Sequence, residues 1–566
     1  VKPEDLQIVI PMSGFGERFR RAGYRVPKPL IEVEGRPIIA HVVDLFPGAR
    51  DVTFVCNRDH LAEDAWQMEA VLRGLVPEAR IVGIAPHQHG PVHAVEQVAD
   101  ALDPARPVVV NYCDFTCDWS WPDFVRFVDE TGCAGAIPCY RGFHPHSLGS
   151  TFYAYVREEG LWANDIQEKR PFTDRPMDEF ASSGTYYFAS AALMTGAFAE
   201  MRERGLTVGG ELYASMAYKP LFDRGAPVAV YPLAHFMQWG TPEDLEEYVR
   251  WSDLFRALAG GAHAPAGHDG AVLVPAAGLG SRFAREGFET PKPLVPVSGR
   301  PMLVQALLDL PRAPRRRVVL RHDLPGLADV ERALDTHVPG CERVLLDAVT
   351  DGQARTCLLG LDGLDPEAPL TIGACDNGLL YDASAFEALL AEPDADVIVW
   401  AVRGHPDARR RPEQFGWIDA DDAGRIRAVS VKQPLADPRR DPIVVGTFTF
   451  RRGGDFRRAA ERLVERDARV NGELYVDTCI NDAIALGLGC RVFEVDHYPG
   501  WGTPDDWRTF DYWQDCFHHW PGHPYTIEAD ARVLPEARAA LAARGAPRPA
   551  PRPAPRPVPR ATEGRR

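Results

Sequence analysis

Residues 8–38 read IVIPMSGFGERFRRAGYRVPKPLIEVEGRPI, and residues 272–302 read VLVPAAGLGSRFAREGFETPKPLVPVSGRPM. In each, an apolar run leads into a glycine loop, a short Arg-Phe segment, and a lysine held between prolines. Gly14 maps onto Gly278 and Lys28 onto Lys292, both at an offset of 264. Further along, Gly90 maps onto Gly352, Asp114 onto Asp376 and Glu211 onto Glu473, each at 262, as does Trp239-Gly240-Thr241-Pro242 onto Trp501-Gly502-Thr503-Pro504. Five motifs in one order at near-constant spacing mean that a whole domain of roughly 260 residues is duplicated, a period far too long for a solenoid unit.

The duplication sets the expected domain plan. Residues 1–258 and 270–525 form the two domains, joined by a small-residue linker over 259–269. A helical extension is expected over 526–544. A Pro/Arg-rich tail over 545–566, extended and disordered, follows it. Within each half, short β-rich runs alternate with helical patterns. QIVIPM, VTFVC, RIVGIA and VVVNYCD read as strands and IIAHVVDLF as an amphipathic helix; AVLVPA, RVVLR and LTIGACD repeat the strand pattern. The fold class is therefore α/β: two tandem Rossmann-like domains with mostly parallel mixed sheets and helices on both faces. Ligands in such sheets bind at the carboxyl ends of strands, where the strand order reverses.

At 566 residues with 45% hydrophobic and 25% charged residues, the composition is that of an ordinary globular chain. The formal net charge of −17 argues against a nucleic-acid-binding surface. No apolar run has the length of a membrane span. VKPEDLQIVIPM places an acidic pair before a short apolar run and reads as a first strand, not a signal peptide. Eleven scattered cysteines read as reduced thiols of a cytoplasmic protein.

The loop chemistry points to phosphate. Gly14, Gly16, Gly278 and Gly280 let the backbone approach an anion and turn its N–H groups inward. Arg18 and Arg282 supply a guanidinium fork, and Lys28 and Lys292 a point charge from a stiff segment. Asp114 and Asp376, each following an apolar strand, are suitable Mg²⁺ ligands.

With these motifs quoted, the chain resembles the sugar-1-phosphate nucleotidyltransferase family, which includes glucose-1-phosphate thymidylyltransferases and mannose-1-phosphate guanylyltransferases. The resemblance implies Mg²⁺ dependence and attack of a sugar-1-phosphate on a nucleoside triphosphate with loss of pyrophosphate. It assigns the leaving pyrophosphate to Arg18 and Arg282 and the phosphates to Lys28 and Lys292. It gives base and ribose to the turns at Gly90 and Gly352, with Gln353 offering a donor and an acceptor where Pro91 offers neither. It places the sugar phosphate at Lys169, Glu211, Lys432 and Glu473. An envelope polysaccharide is the pathway it suggests.

Departures from the family pattern are also legible. Gln238 and Gly500 precede the Trp-Gly pairs where relatives carry a second metal aspartate, leaving one aspartate per half or, in the first half, Asp118. Glu17 stands where the second half has Ser281, and Val431 replaces the acid that Glu168 provides. Two further readings follow: one catalytic half beside a non-catalytic nucleotide-binding half, and a glycosyltransferase on a related fold. Asp394-Ala395-Asp396 has the DxD form used by metal-dependent glycosyltransferases, but its position between a helix and a strand reads as a turn. The acidic run from Asp419 lacks a glutamate at its twelfth position, Ser430, and reads as a hairpin turn rather than a calcium loop.

Overall fold

The computed structural model describes residues 2–149, 151–261, 264–545 and 549–554. The chain divides into two compact units: Val1–Ser252 with His519–His523 and Gly545–Arg566, and Asp253–His518 with Pro524–Arg544.

The first unit is built on a ten-stranded sheet. At one end, Arg80–Ile84, Val52–Asn57, Gln7–Met12 and Val108–Asn111 run parallel in that order. Thr185–Phe188 enters antiparallel between Val108–Asn111 and Gly135–Tyr140, and Val228–Pro232 lies parallel to the latter. An antiparallel group, including Ala154–Glu159 and Trp162–Glu168, completes the sheet. Gln7–Met12 is buried along its whole length, as a strand covered on both faces must be, and its side chains are apolar nearly throughout.

The second unit repeats the order: Glu342–Leu346, Arg315–Arg321, Ala271–Pro275, Leu370–Ile372, Ile443–Phe450, Val397–Val402 and Cys490–Glu494. In both units the first strand has that sheet's next strand in chain order on one side and a later strand on the other. The switch point therefore lies beyond Met12 and Asn111, and beyond Pro275 and Ile372.

The two metal-candidate aspartates sit past their strands, not at the last strand residue. The strands end at Asn111 and Ile372, and Asp114 and Asp376 occupy the loops that follow. Backbone pairing holds those loops: Trp239 N donates to Asp114 O at 2.9 Å, and Trp501 N to Asp376 O at 2.8 Å. Both tryptophans are fully buried, so the Trp-Gly segments are anchored by their indoles. Thr241 and Thr503 then cap the following helices through Asp244 N and Asp506 N at 3.1 Å, the helix entry expected of Thr-Pro-acid.

Two connecting segments differ from expectation. In the 259–269 segment, Ala266 is buried and His268 Nε2 lies 2.9 Å from Thr371 Oγ1, so its latter part packs on the second unit. In the Pro/Arg-rich segment, residues 549–554 are held against the first unit by two ion pairs of Arg552 and by hydrogen bonds to their backbone. Alternating prolines keep the segment extended, and the acidic side chains beneath it supply the attraction that a solvated tail lacks. Residues 546–548 and 555–566 of that tail lie outside the described residues. The predicted helical extension contains one helix, Pro535–Ala542.

Candidate functional site

At the switch point of the first unit, the 13–18 loop, Lys28, Gly90, Asp114, Glu211 and Gly240 line a cavity of about 640 Å³. Lys28 opens a tight turn over Lys28–Leu30, fixed by Pro27 and Pro29. Its Nζ donates to Asp114 Oδ2 at 2.5 Å and to Gly240 O at 3.3 Å. The second unit reproduces this: Lys292 Nζ donates to Asp376 Oδ2 at 2.5 Å and to Gly502 O at 3.1 Å. Burial opposes the Lys292 charge, but Asp376 and Cys375 outweigh it and hold the ammonium above its usual range. Burial likewise opposes ionisation of Asp376, yet Lys292 and Arg282 carry its carboxyl downward. Both groups are thus charged, and each stabilises the other.

The glycine of each Trp-Gly pair packs against the site aspartate. A Cβ at Gly240 would lie 3.2 Å from Asp114 Oδ2, and one at Gly502 3.2 Å from Asp376 Oδ2. The residue is small so that this loop can press on the aspartate and offer its carbonyl to the lysine.

Gly14 and Gly278 face open space, while Gly16 and Gly280 take the left-handed conformation that starts the short helices Glu17–Arg21 and Ser281–Arg285. Arg18 and Arg282 are exposed on those helices. The Arg18 guanidinium lies 5.7 Å from the Phe152 ring centre. Glu17 is paired with Arg21 at 2.9 Å on the exposed face of its helix.

Gly90 and Gly352 each sit under a tight packing constraint. At φ +87°, a Cβ on Gly90 would fall 2.6 Å from Leu212 O; at φ +142°, one on Gly352 would fall 2.3 Å from Leu474 N. The backbone of the Gly-Glu-Leu-Tyr segment is stitched to this turn by Leu212 N to His89 O (2.9 Å) and Leu474 N to Asp351 O (3.0 Å). The glycine thereby delivers Glu211 to the cavity rim. Gln353 opens the helix Gln353–Leu359, half-buried, at the position that Pro91 takes in Pro91–Glu96.

Lys169 and Lys432 both adopt left-handed backbone, at φ 58° and 62°, a conformation unusual for lysine. Recurrence in both copies indicates a maintained local geometry. Each N–H closes the same contact, Lys169 to Tyr153 O (2.8 Å) and Lys432 to Phe415 O (2.9 Å). The side chains then diverge. Lys169 Nζ hydrogen-bonds the Tyr213 hydroxyl and lies 3.9 Å from Glu211 Oε2, and that hydroxyl also donates to Glu211. Lys432 Nζ donates to Gln414 O at 2.8 Å and sits 5.6 Å from the Tyr475 ring centre. Lys169 and Glu211 are brought together; Lys432 and Glu473 are not joined in that way.

The acid missing at Val431 returns from another element. In the first unit Glu168 accepts from Ser215 Oγ at 2.6 Å. In the second, Asp477 stands at the position of Ser215. A Cβ on Gly416, which pairs with Val431, would fall 2.3 Å from the Asp477 carboxylate. Burial pushes the Asp477 carboxyl up to about 6. The carboxylate has moved from a strand end to a helix.

His87, His89 and His93 were also missed. His87 lines the cavity, and its Nε2 lies 3.0 Å from Ser13 Oγ; its ring is 4.5 Å from that of His93 and 6.0 Å from that of His89. The signal was present in HQHGPVH, whose counterpart in the second half has Val349, Asp351 and Arg355.

Other candidates fall outside the sites. Asp118 Oδ2 lies 3.7 Å from His235 Nδ1 and does not line the cavity. Asp394 pairs with Arg491 at 3.2 Å and Asp396 accepts from Gly489 N, so the DxD triplet ties a turn to a strand. Asp421 accepts from Ala423 N and Arg425 N in the hairpin turn.

Comparison with known proteins assigns the family. Residues 8–173 and 272–552, most of the chain, match the MobA-like NTP transferase domain. The chain belongs to the MobA-like NTP transferase family. It carries the domain twice. The chain is similar to mannose-1-phosphate guanyltransferase beta-A of Xenopus laevis, 24% identical over 246 residues, covering 42% of this chain and 62% of that protein. A shorter stretch is 35% identical over 109 residues to the bifunctional protein GlmU of Burkholderia orbicola, covering 19% of this chain and 22% of that one. Among solved structures, a nucleoside-diphosphate-sugar pyrophosphorylase from Vibrio cholerae RC9 aligns at 20% identity and TM-score 0.37, covering 43% of this chain and all of that one. The chain thus spans under two thirds of the length of the curated relatives it matches. Within this family frame, the shared Lys-Asp pairs mark what the two domains have in common, and the histidine turn and Asp477 mark where they differ.

Proposed function

We propose that the chain is a nucleotidyltransferase acting on a nucleoside triphosphate and a sugar phosphate, yielding an NDP-sugar and pyrophosphate. The observation that carries this is the lysine–aspartate pair at 2.5 Å beside a glycine loop, at the switch point of each sheet. A sugar phosphate is largely dianionic at neutral pH, its second pKa being about 6, so no general base is required. A phosphate oxygen of the sugar attacks the α-phosphorus in line. The new P–O bond forms as the α–β bridging bond breaks, and the electron pair leaves with pyrophosphate. Lys28 and Lys292 turn from carboxylate to polyphosphate, and Arg18 and Arg282 take the departing charge. Lys169 with Glu211 and Tyr213 orients the sugar phosphate in the first unit, and Lys432 and Glu473 do so in the second.

Among the described residues no group of three or more His, Cys, Asp or Glu side chains is arranged to hold a metal ion. One carboxylate per site nevertheless suits Mg²⁺, which takes one or two protein carboxylates and keeps waters and phosphate oxygens. Asp114 and Asp376 would hold it, and it would supply neutralisation of the polyphosphate. Among the described residues no helix is long and apolar enough to cross a membrane. A cytoplasmic role in supplying sugar nucleotides for an envelope polysaccharide accords with this reading.

The test is pyrophosphate release by the full chain across a panel of nucleoside triphosphates and sugar phosphates, with and without EDTA. Release requiring both substrates supports the reading. Transfer from a preformed NDP-sugar without pyrophosphate release would replace it with a glycosyltransferase. The divergence at Asp477 and at the histidine turn favours a second reading, in which one unit turns over and the other binds nucleotide only. The Lys28→Ala and Lys292→Ala variants, assayed side by side, separate the two.

A further inference from the structure

The helix Trp121–Thr131 presents Asp123, Phe127 and Glu130 on one face, at i, i+4 and i+7 spacing. Residues 549–554, PAPRPA, lie along it. Ala550 N donates to Asp123 Oδ2 at 2.9 Å, and Ala550 is itself buried. Arg552 Nη2 donates to Asp123 Oδ1 at 3.2 Å and its Nε to Glu130 Oε2 at 2.6 Å, while its guanidinium lies 5.3 Å from the Phe127 ring centre. Beyond the helix, Trp162 Nε1 donates to Ala554 O at 2.6 Å, and Ala554 N donates to Gly160 O at 3.0 Å.

These contacts read a pattern. Prolines at every second position remove backbone donors and hold the chain extended. Of the three remaining amides, those of Ala550 and Ala554 are paired with the groove. Arginine between them meets two carboxylates and an aromatic face, a combination that lysine satisfies less well. With the segment in place Asp123 is 2% exposed, and Arg552 and the Ala550 amide join Arg126 and the Tyr231 hydroxyl in partnering its buried carboxylate. The corresponding helix of the second unit has Ala385 and Leu389 at the Asp123 and Phe127 positions, so the groove belongs to the first unit alone. The sequence carries the tetrad Ala-Pro-Arg-Pro three times, at 546–549, 550–553 and 554–557.

We propose that this groove is a peptide-binding site specific for an Ala-Pro-Arg-Pro-Ala unit, and that residues 550–554 of the chain itself are its resident occupant. The site is separate from the nucleotide cavity and uses none of its residues.

The test is hydrogen–deuterium exchange of the full chain, read on the 549–554 peptide. Protection of at least tenfold over the same sequence as a free peptide is expected. Glu130→Gln, a change at an exposed side chain, should reduce it, and Asp123→Ala should abolish it. A synthetic APRPAPRPA peptide at millimolar concentration should displace the tail and raise its exchange, and APAPAPAPA should not. Free-peptide exchange rates in the unmodified chain would overturn the proposal. So would displacement by both peptides alike, or protection unchanged in both variants.

Discussion

Lys292 Nζ lies 2.5 Å from Asp376 Oδ2 in the second unit, the separation that Lys28 and Asp114 keep in the first. An ammonium held against a carboxylate is pre-positioned and charged before any substrate arrives. Lys28→Ala and Lys292→Ala should each lower turnover of their own unit by ~10²–10³, the usual effect of deleting one electrostatic contact to a reacting group. Asp114→Ala/Asp376→Ala together should silence the chain. Turnover unchanged in that double variant would refute the site.

Gly240→Ala and Gly502→Ala probe the same pair from its other side. The added methyl would sit 3.2 Å from the aspartate Oδ2, tighter than ordinary contact, so the carboxylate must shift. A displacement of that order at reacting groups costs rate more than stability. The expectation is a loss in kcat of about tenfold or more with a melting temperature close to that of the unmodified chain. Gly90→Ala differs, because its methyl meets Leu212 backbone at 2.6 Å with φ at +87°. That variant should lose about 1–3 kcal/mol of stability, measurable by denaturant unfolding.

The histidine turn predicts an acid-sensitive first unit. Burial, then the neighbouring rings, hold His87 below its ordinary value of 6.5, and His93 is lowered by burial and His89. The folded chain therefore binds these protons less readily than the unfolded chain. Stability from this source is complete above pH 6.5 and declines as pH falls below it. The melting temperature should drop less between pH 7 and 5 in His87→Gln/His93→Gln than in the unmodified chain. Identical pH curves would remove the histidines from the account.

How much of this was legible in the sequence depended on whether the repeat preserved it. Lys28, Asp114 and the loop glycines stand out because both copies keep residue and spacing, and the alternation of apolar strands and helices placed them at strand ends. The histidines escaped because only one copy has them. Tyr213 escaped because a tyrosine after Gly-Glu-Leu reads as core until its hydroxyl is seen against Lys169 and Glu211. The packing constraint on Gly90, the Leu212 backbone, was invisible because it comes from a segment distant in sequence. Order in residues 549–554 was hidden for the same reason: a Pro/Arg run has no core of its own, and its partners are carboxylates elsewhere.

Asp477 is the sharpest such case, since one alignment column shows an acid lost at Val431 and another, far away, shows one gained. Its carboxyl rises from 3.8 to about 6 through burial, so the folded chain holds that proton more tightly than the unfolded chain. The stabilisation is present below about pH 4 and is lost as pH rises to about 6, an effect of up to about 3 kcal/mol that the half-buried position of the residue reduces. Asp477→Asn should flatten that limb and stabilise the chain at neutral pH. If the carboxylate also serves as the second unit's equivalent of Glu168, Asp477→Asn should raise KM for the sugar phosphate in that unit, and Val431→Glu/Asp477→Ser should restore it. The double variant rebuilds the Glu168–Ser215 arrangement, which bonds at 2.6 Å in the first unit. Recovery of KM without recovery of the pH limb would separate the two roles. No change in KM for Asp477→Asn would reduce Asp477 to an acid with a structural role only.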